Sequence, residues 1–366
     1  SSIVCRATEL FRAGKLDHQI GAISARFPGE PHDESEWSGA VEAHLGITAE
    51  VVGARPFSPD QARQWVADSY QLPVRPNVLD TLGNVLTTLQ SDGRRVLWTG
   101  EGGDDWLNGS TSHWPDRLVS GQWGALFRHG AELWPEAPWY VKGRRTLARA
   151  GMPLVSSRHR EAMLMPHLDF RLASPDWIRS DWMAQIGLQD RWRESIPREG
   201  LRGMGQKARY SVYSLGRRYT MIDTVLAFAE SHGVEIRHPL HDLRLTRFFM
   251  GAAGEHLRKA NTRKHLLREA MRGTLPEKIR QRRTKSYFVS HQVDAISELL
   301  RERPVHELTA VKLGWVVPER IAAMHAPFEA WRRNGSEGPI PDGAWGPVWF
   351  TLATDMWLEH AFGLKG

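Results

Sequence analysis

Glu101, Asp104 and Asp105 set three carboxylates within five positions, interleaved with Gly100, Gly102 and Gly103, in the run Gly93-Arg-Arg-Val-Leu-Trp-Thr-Gly-Glu-Gly-Gly-Asp-Asp105. Acids this close repel one another unless a cation or a basic partner arrives, so the loop suits Mg²⁺ binding or proton transfer. The glycines leave backbone N–H groups uncovered. A tight turn leading into an acidic helix N-terminus would use the same residues, and the loop alone does not choose between the two. The element that must carry it is the apolar run Val96-Leu97-Trp98, bounded by glycine and read as a buried parallel strand that stops at Gly100. Open α/β sheets take their ligands at that end of a strand.

Upstream, helical and strand patterns alternate. Ile3, Val4, Ala7, Leu10 and Phe11 predict a helix that stops at Gly14, and residues 23–27 predict a strand ended by a turn at Pro28-Gly29. A helix from about Asp33, with Trp37, Ala40, Val41, His44 and Leu45 on one face, stops at Gly46. His32 beside Asp33 could suggest a metal, but a cap at a helix start is the more ordinary use. A short strand follows over 49–52, and a long helix with Val78, Leu82, Val85, Leu86 and Leu89 inward delivers the chain to Arg95. Such alternation predicts an α/β fold: a parallel twisted sheet with helices on both faces.

From 110 to about 205 the pattern breaks into short helical pieces rich in tryptophan and arginine, read as a helical insertion. Aromatics among arginines could stack nucleic-acid bases, but without an aromatic-rich β-sheet motif helix packing explains them better. Next, Gly233 and Pro239 force irregular backbone that would hold Glu235, Arg237 and Asp242 on a loop, with Glu235 and Arg237 bracing each other and Asp242 capping the next helix. His238 and His241 are three apart, but the proline between them spoils helical ligand geometry, so zinc is rejected. The densest basic region spans 258–285, where Thr262–Gly273 reads as a capped helix with a solvated cationic face. Beyond Glu307 tryptophan-rich helices are expected to close the core.

Three of these stretches carry a family likeness. Gly100–Asp105 resembles the Gly-Glu-Gly-Ser/Gly-Asp-Glu signature of the asparagine synthetase family, with Asp105 for the final Glu. His232–Asp242 resembles its His-Gly-Val-Glu-Val-Arg-X-Pro-Phe-Leu-Asp segment, with His241 for an apolar residue, and Arg282–Phe288 is similar to its Arg-X-X-Lys-X-X-Phe segment. The resemblance implies an adenine-nucleotide alpha-hydrolase-like fold and the cofactors ATP and Mg²⁺. It further implies that ATP activates a carboxylate as an acyl-adenylate, which an amine then attacks. It makes Glu101 the general base, Lys285 the cation that reaches the phosphates and the developing negative charge, and Asp104 a Mg²⁺ ligand. Thr99, Gly100 and Gly102 would bind nucleotide, and Ala25 would lie by the adenine. Ser1 and Ser2 resemble the end of the family's Ser-Gly-Gly-X-Asp-Ser-Ser pyrophosphate loop, whose first strand would precede residue 1. Residues 1–110 are therefore read as the nucleotide-binding core lacking that strand and loop, 111–205 as the insertion, and 206–366 as the remaining, mostly helical part.

Composition sets outer limits. The 366 residues have a net charge of +6, 41% hydrophobic content and a single cysteine, with no run of membrane-spanning length. An internal disulfide is excluded, in keeping with a cytoplasmic location. The family's full-length members add an N-terminal glutaminase with an N-terminal cysteine nucleophile; Cys5, internal to a helix, cannot serve. That partner is expected elsewhere, making asparagine synthetase (glutamine-hydrolysing) chemistry the first reading and ring closure by a lasso-peptide or β-lactam synthetase the alternative. In the latter the substrate, small or peptidic, brings its own amine. A binding module or inactive fragment, for instance one related to RNA-modifying enzymes, is the reading of another class, although nucleic acid is not an expected partner and Glu101 and Lys285 would be superfluous to it.

Overall fold

The computed structural model describes the chain except residues 31, 54–56, 74, 165–174, 195–199, 215, 285–288, 339, 342–344 and 365–366, and the side chains at 77, 192–193, 213–221 and 289. In chain order it runs α1 (Ser2–Arg12), β1 (Ile23–Arg26), α2 (Ser35–Leu45), β2 (Glu50–Gly53), α3 (Pro59–Ser69), α4 (Pro76–Ser91) and β3 (Val96–Trp98). Helices then dominate: α5 (Trp114–Val119), α6 (Trp123–Leu133), α7 (Trp139–Val155), α8 (Ser157–Leu164), α9 (Ser180–Gln185), α10 (Leu188–Glu194), α11 (Gly203–Ser214) and α12 (Gly216–Glu230). After β4 (Glu235–Arg237) come α13 (Leu243–Gly251), α14 (Gly254–Leu257), α15 (His265–Ala270), α16 (Glu277–Gln281), α17 (Val289–Glu302), α18 (Thr309–Lys312), α19 (Pro318–Arg333) and α20 (Trp345–Phe362).

The strands form two separate parallel pairs. Ile23 is opposite Glu50 in β1–β2, and Val96 is opposite Glu235 in β3–β4. Among the described residues no strand joins the pairs, so the single continuous sheet expected from the sequence is replaced by two half-sheets. β3 is parallel as expected but not buried: Val96 and Trp98 are 41% and 39% exposed and line a cavity.

The apolar stripe of α4 explains its place. Leu86 and Leu89 pack with Val234 and Ile236 of the β4 segment, each fully buried leucine contributing on the order of 2 kcal/mol. The largest core lies further along, where Trp349, Leu352 and Ala353 of α20 meet Ile296 of α17, Ile321 of α19 and Ala62 and Val66 of α3. α3 has Ser58 at its N-cap, accepting from the Gln61 amide, and Pro59 at its first position. Its buried face, Ala62, Trp65 and Val66, is too short for periodicity alone to mark a helix there. Trp114, Leu126, Leu133 and Ala150 hold α5, α6 and α7 together as a satellite core.

Two local expectations are corrected. Glu235 and Arg237 lie on a strand rather than a loop, paired there at 2.8 Å. The helix expected from Thr262 begins at His265, because Lys264 adopts a left-handed conformation (φ 56°) that no helix interior accepts.

Candidate active site

The acidic loop leaves β3 through Thr99, whose amide donates to the Arg237 carbonyl at 3.0 Å. The Thr99 hydroxyl accepts from the Glu101 amide at 3.3 Å and bonds His238 Nδ1 at 2.6 Å. Burial holds the His238 pKa below its ordinary value, partly offset by the charge of Glu101, so its imidazole is neutral at physiological pH. Successive tight turns follow, Gly103 N to Gly100 O and Asp105 N to Gly102 O. Gly102 has φ +91°, and a Cβ there would stand 2.7 Å from His241, so glycine is required on both counts.

The loop opens on a cavity of about 1130 Å³. Ser1, Ser2, Ala25, Thr99, Gly100 and Glu101 all line it, brought from three stretches by α1, β1 and the end of β3. Gly102 sits behind the rim, against His241 and Trp106. Asp104 lies beside the rim, its Oδ1 2.9 Å from Lys264 Nζ. Lys285 and the aromatic Phe288 lie outside the described residues.

Positive charge in the wall comes in part from the run 262–273, whose basic face the sequence pattern suggests is solvated, and in part from Arg280 beyond it. Lys264, Arg268 and Arg280 face the cavity. Lys264 is aimed there by its left-handed backbone, pinned where its amide donates to the Asn108 carbonyl at 3.3 Å. Non-glycine residues seldom adopt that conformation, and such strain clusters at functional sites. Arg282, the basic residue before Lys285, instead bridges Glu34 at 2.9 Å and stacks 4.4 Å from the Trp37 ring. Asp242 caps α13 as expected, accepting from the Arg244 amide at 2.8 Å.

A cavity at the carboxyl end of a parallel strand, walled by glycine amides, cations and a carboxylate, suits a polyanionic ligand beside a proton acceptor. The family model described as asparagine synthase matches residues 1–359. The chain belongs to the asparagine synthase family. ATP-dependent, amide-forming ligase chemistry comes with that membership. In this asparagine synthase-family chain the match fills nearly all the residues, so a glutaminase domain is not among them. Comparison with individually curated proteins finds no match. No helix among the described residues is long and apolar enough to cross a membrane.

Proposed function

We propose that the chain is the synthetase part of an AMP-forming enzyme that activates a carboxylate as an acyl-adenylate and couples it to an amine, with the cavity as its active site. The observation that carries this reading is the convergence of Ser1, Ser2, Ala25, Thr99, Gly100 and Glu101 on one cavity. Ser1 and Ser2 start α1, where helix N-terminal amides suit a phosphate. Lys264, Arg268 and Arg280 supply positive charge where ATP phosphates would lie, and Lys285 is assigned the charge that develops during adenylation and attack. Glu101 takes the proton from the attacking amine.

Asp104 fits Mg²⁺. A carboxylate offers about four lone-pair sites, so its contact with Lys264 leaves it competent as a ligand, and Mg²⁺ commonly takes only one or two protein carboxylates beside phosphate oxygens. When bound, the ion would neutralise phosphate charge. We also assign the space between the edges of β1 and β3 to a fifth parallel strand preceding Ser1, which would restore one twisted sheet and bring the pyrophosphate loop to the cavity.

The nitrogen donor follows from one of two routes. Ammonia from a glutaminase outside these residues gives asparagine synthetase chemistry. A peptide that carries its own amine is the other, and exposed aromatics of the helical insertion offer it contacts: Trp139, 83% exposed beside Tyr140, and Trp123, 58% exposed. The complete protein tests the reading. Glu101→Gln should keep pyrophosphate release from Mg·ATP with the carboxylate substrate while slowing amide formation about 10²- to 10⁴-fold, the range of a general base. Lys285→Ala should abolish pyrophosphate release with the fold intact. Unchanged turnover in both variants rejects the assignment.

A further inference from the structure

Among the positions that depart from the family's wording, two carry ionisable side chains: Asp105 where the signature has Glu and His241 where the later segment has an apolar residue. They lie far apart in the chain and meet in the fold. With Glu101 they bring three donor atoms within 4.8 Å of one another. We propose that Glu101, Asp105 and His241 bind a divalent transition ion of the Zn²⁺ or Mn²⁺ kind, separate from the Mg²⁺ position at Asp104, and that the ion, while held there, occupies the carboxylate that otherwise acts as base.

The three donors are spaced as ligands of one ion can be. His241 Nε2 stands 4.0 Å from Asp105 Oδ2, beyond hydrogen-bond reach of it. Donors bound at roughly 2.1 Å around a tetrahedral ion lie about 3.4 Å apart, so small side-chain rotations close the site. The surroundings fix the imidazole. Its ring stands edge-on to Trp106, centroids 4.6 Å apart at 84°, and fills the space left by the missing Cβ of Gly102. Trp106 Nε1 donates to the Leu240 carbonyl at 3.0 Å, which holds the backbone immediately before His241. The Asp105 side chain is 1% exposed, and Glu101 reaches the cavity rim, so an ion would be seated on the protein side and open toward the cavity.

The donor set decides the class of metal. Mg²⁺ prefers oxygen ligands and holds its waters, whereas an imidazole with two carboxylates suits zinc, manganese or cobalt. His238, 5.5 Å from His241 between ring centroids, is bonded to Thr99 and is not one of the three ligands. The pairing of His241 with residues of the acidic loop, rather than with His238, is what spacing along the chain did not reveal.

The test needs neither ATP nor substrate, so its failure leaves the amide-forming reading untouched. The purified protein is titrated with Zn²⁺ against a chromophoric chelator in excess Mg²⁺, and with Co²⁺ while its visible absorption is recorded. One equivalent should bind. His241→Leu, which restores an apolar residue, and Asp105→Asn should each weaken binding at least tenfold and alter the cobalt spectrum, while His238→Ala retains both. Melting curves establish that each variant is folded, and either ligand variant suffices if the other does not fold. Zinc binding unchanged in the folded ligand variant, no binding by the parent protein, or full competition by Mg²⁺ at equal concentration would each overturn the proposal.

Discussion

Lys264 and Asp104 meet at 2.9 Å on the cavity wall, with side chains 30% and 46% exposed. A pair so open to water adds little to stability, under about 1 kcal/mol, so the strained backbone of Lys264 is better explained by function than by folding. Its ammonium balances a carboxylate when the cavity is empty and would serve phosphate when it is filled. Lys264→Met in the complete protein should therefore raise the KM for Mg·ATP about tenfold or more and shift the denaturation midpoint hardly at all. Initial rates of pyrophosphate release across a range of Mg·ATP concentrations measure this; an unchanged KM would remove Lys264 from the nucleotide site. The sequence hid this residue for a physical reason: within a basic, helix-patterned run, nothing marks one lysine as leaving the helical conformation. The acidic loop stood out because glycines interleaved with carboxylates mark an irregular turn at a strand end, and the structure places Glu101 at the cavity and Asp104 beside its rim.

Elements were legible where periodicity and punctuation agree. α1, α2 and α4 follow their apolar stripes, and Gly46 stops α2 in the left-handed conformation. Pairing of strands was less legible, since three or four apolar residues do not say which neighbour they meet; among the described residues β3 pairs with β4 alone, and Val96 and Trp98 stay exposed. The tryptophan-rich stretch gave helices but not their polar junction. There His113, just before α5, donates from Nδ1 to the Ser110 carbonyl at 3.1 Å and is packed against Gly205 of α11 and Gly254 of α14. Burial, then the charges of Arg117 and His129, push its pKa down to about 3. Since the unfolded value is near 6.5, the unfolded chain binds the proton first. The stabilisation is complete above pH 6.5 and is lost as pH falls toward 3, at up to roughly 1.4 kcal/mol per pH unit. Glu255, which pairs with Arg117, and Asp116 and Arg209 are the other charged groups at this junction. Denaturation of the parent and His113→Gln proteins between pH 6.5 and 4 should show a shallower loss in the variant; parallel slopes would mean that His113 does not set the acid sensitivity of this junction.

At the scale of the whole molecule, the two half-sheets frame a cavity whose lower wall is apolar. Ile23 of β1, Leu82 and Val85 of α4, Val96 and Leu97 of β3 and Leu267 of α15 all face it. Strands in one sheet stand about 4.8 Å apart, and an open edge carries a row of unsatisfied backbone donors and acceptors beside apolar side chains, which is costly and prone to mispairing. A parallel strand running into α1 would satisfy β1 and β3 together, cover Val96 and Trp98, and end at the helix N-terminus that faces the cavity. Nucleotide binding and completion of the sheet then become one event, because the loop that joins such a strand to α1 would itself form part of the phosphate site. Residues 1–366 alone should accordingly bind a hydrophobic dye, melt early and release no pyrophosphate from Mg·ATP. A longer chain that carries such a strand ahead of Ser1 should lose most of the dye signal, melt at least several degrees higher and turn over. Robust pyrophosphate release by residues 1–366 alone, or a dye signal indifferent to the added segment, would show that the space between β1 and β3 is not the seat of a strand.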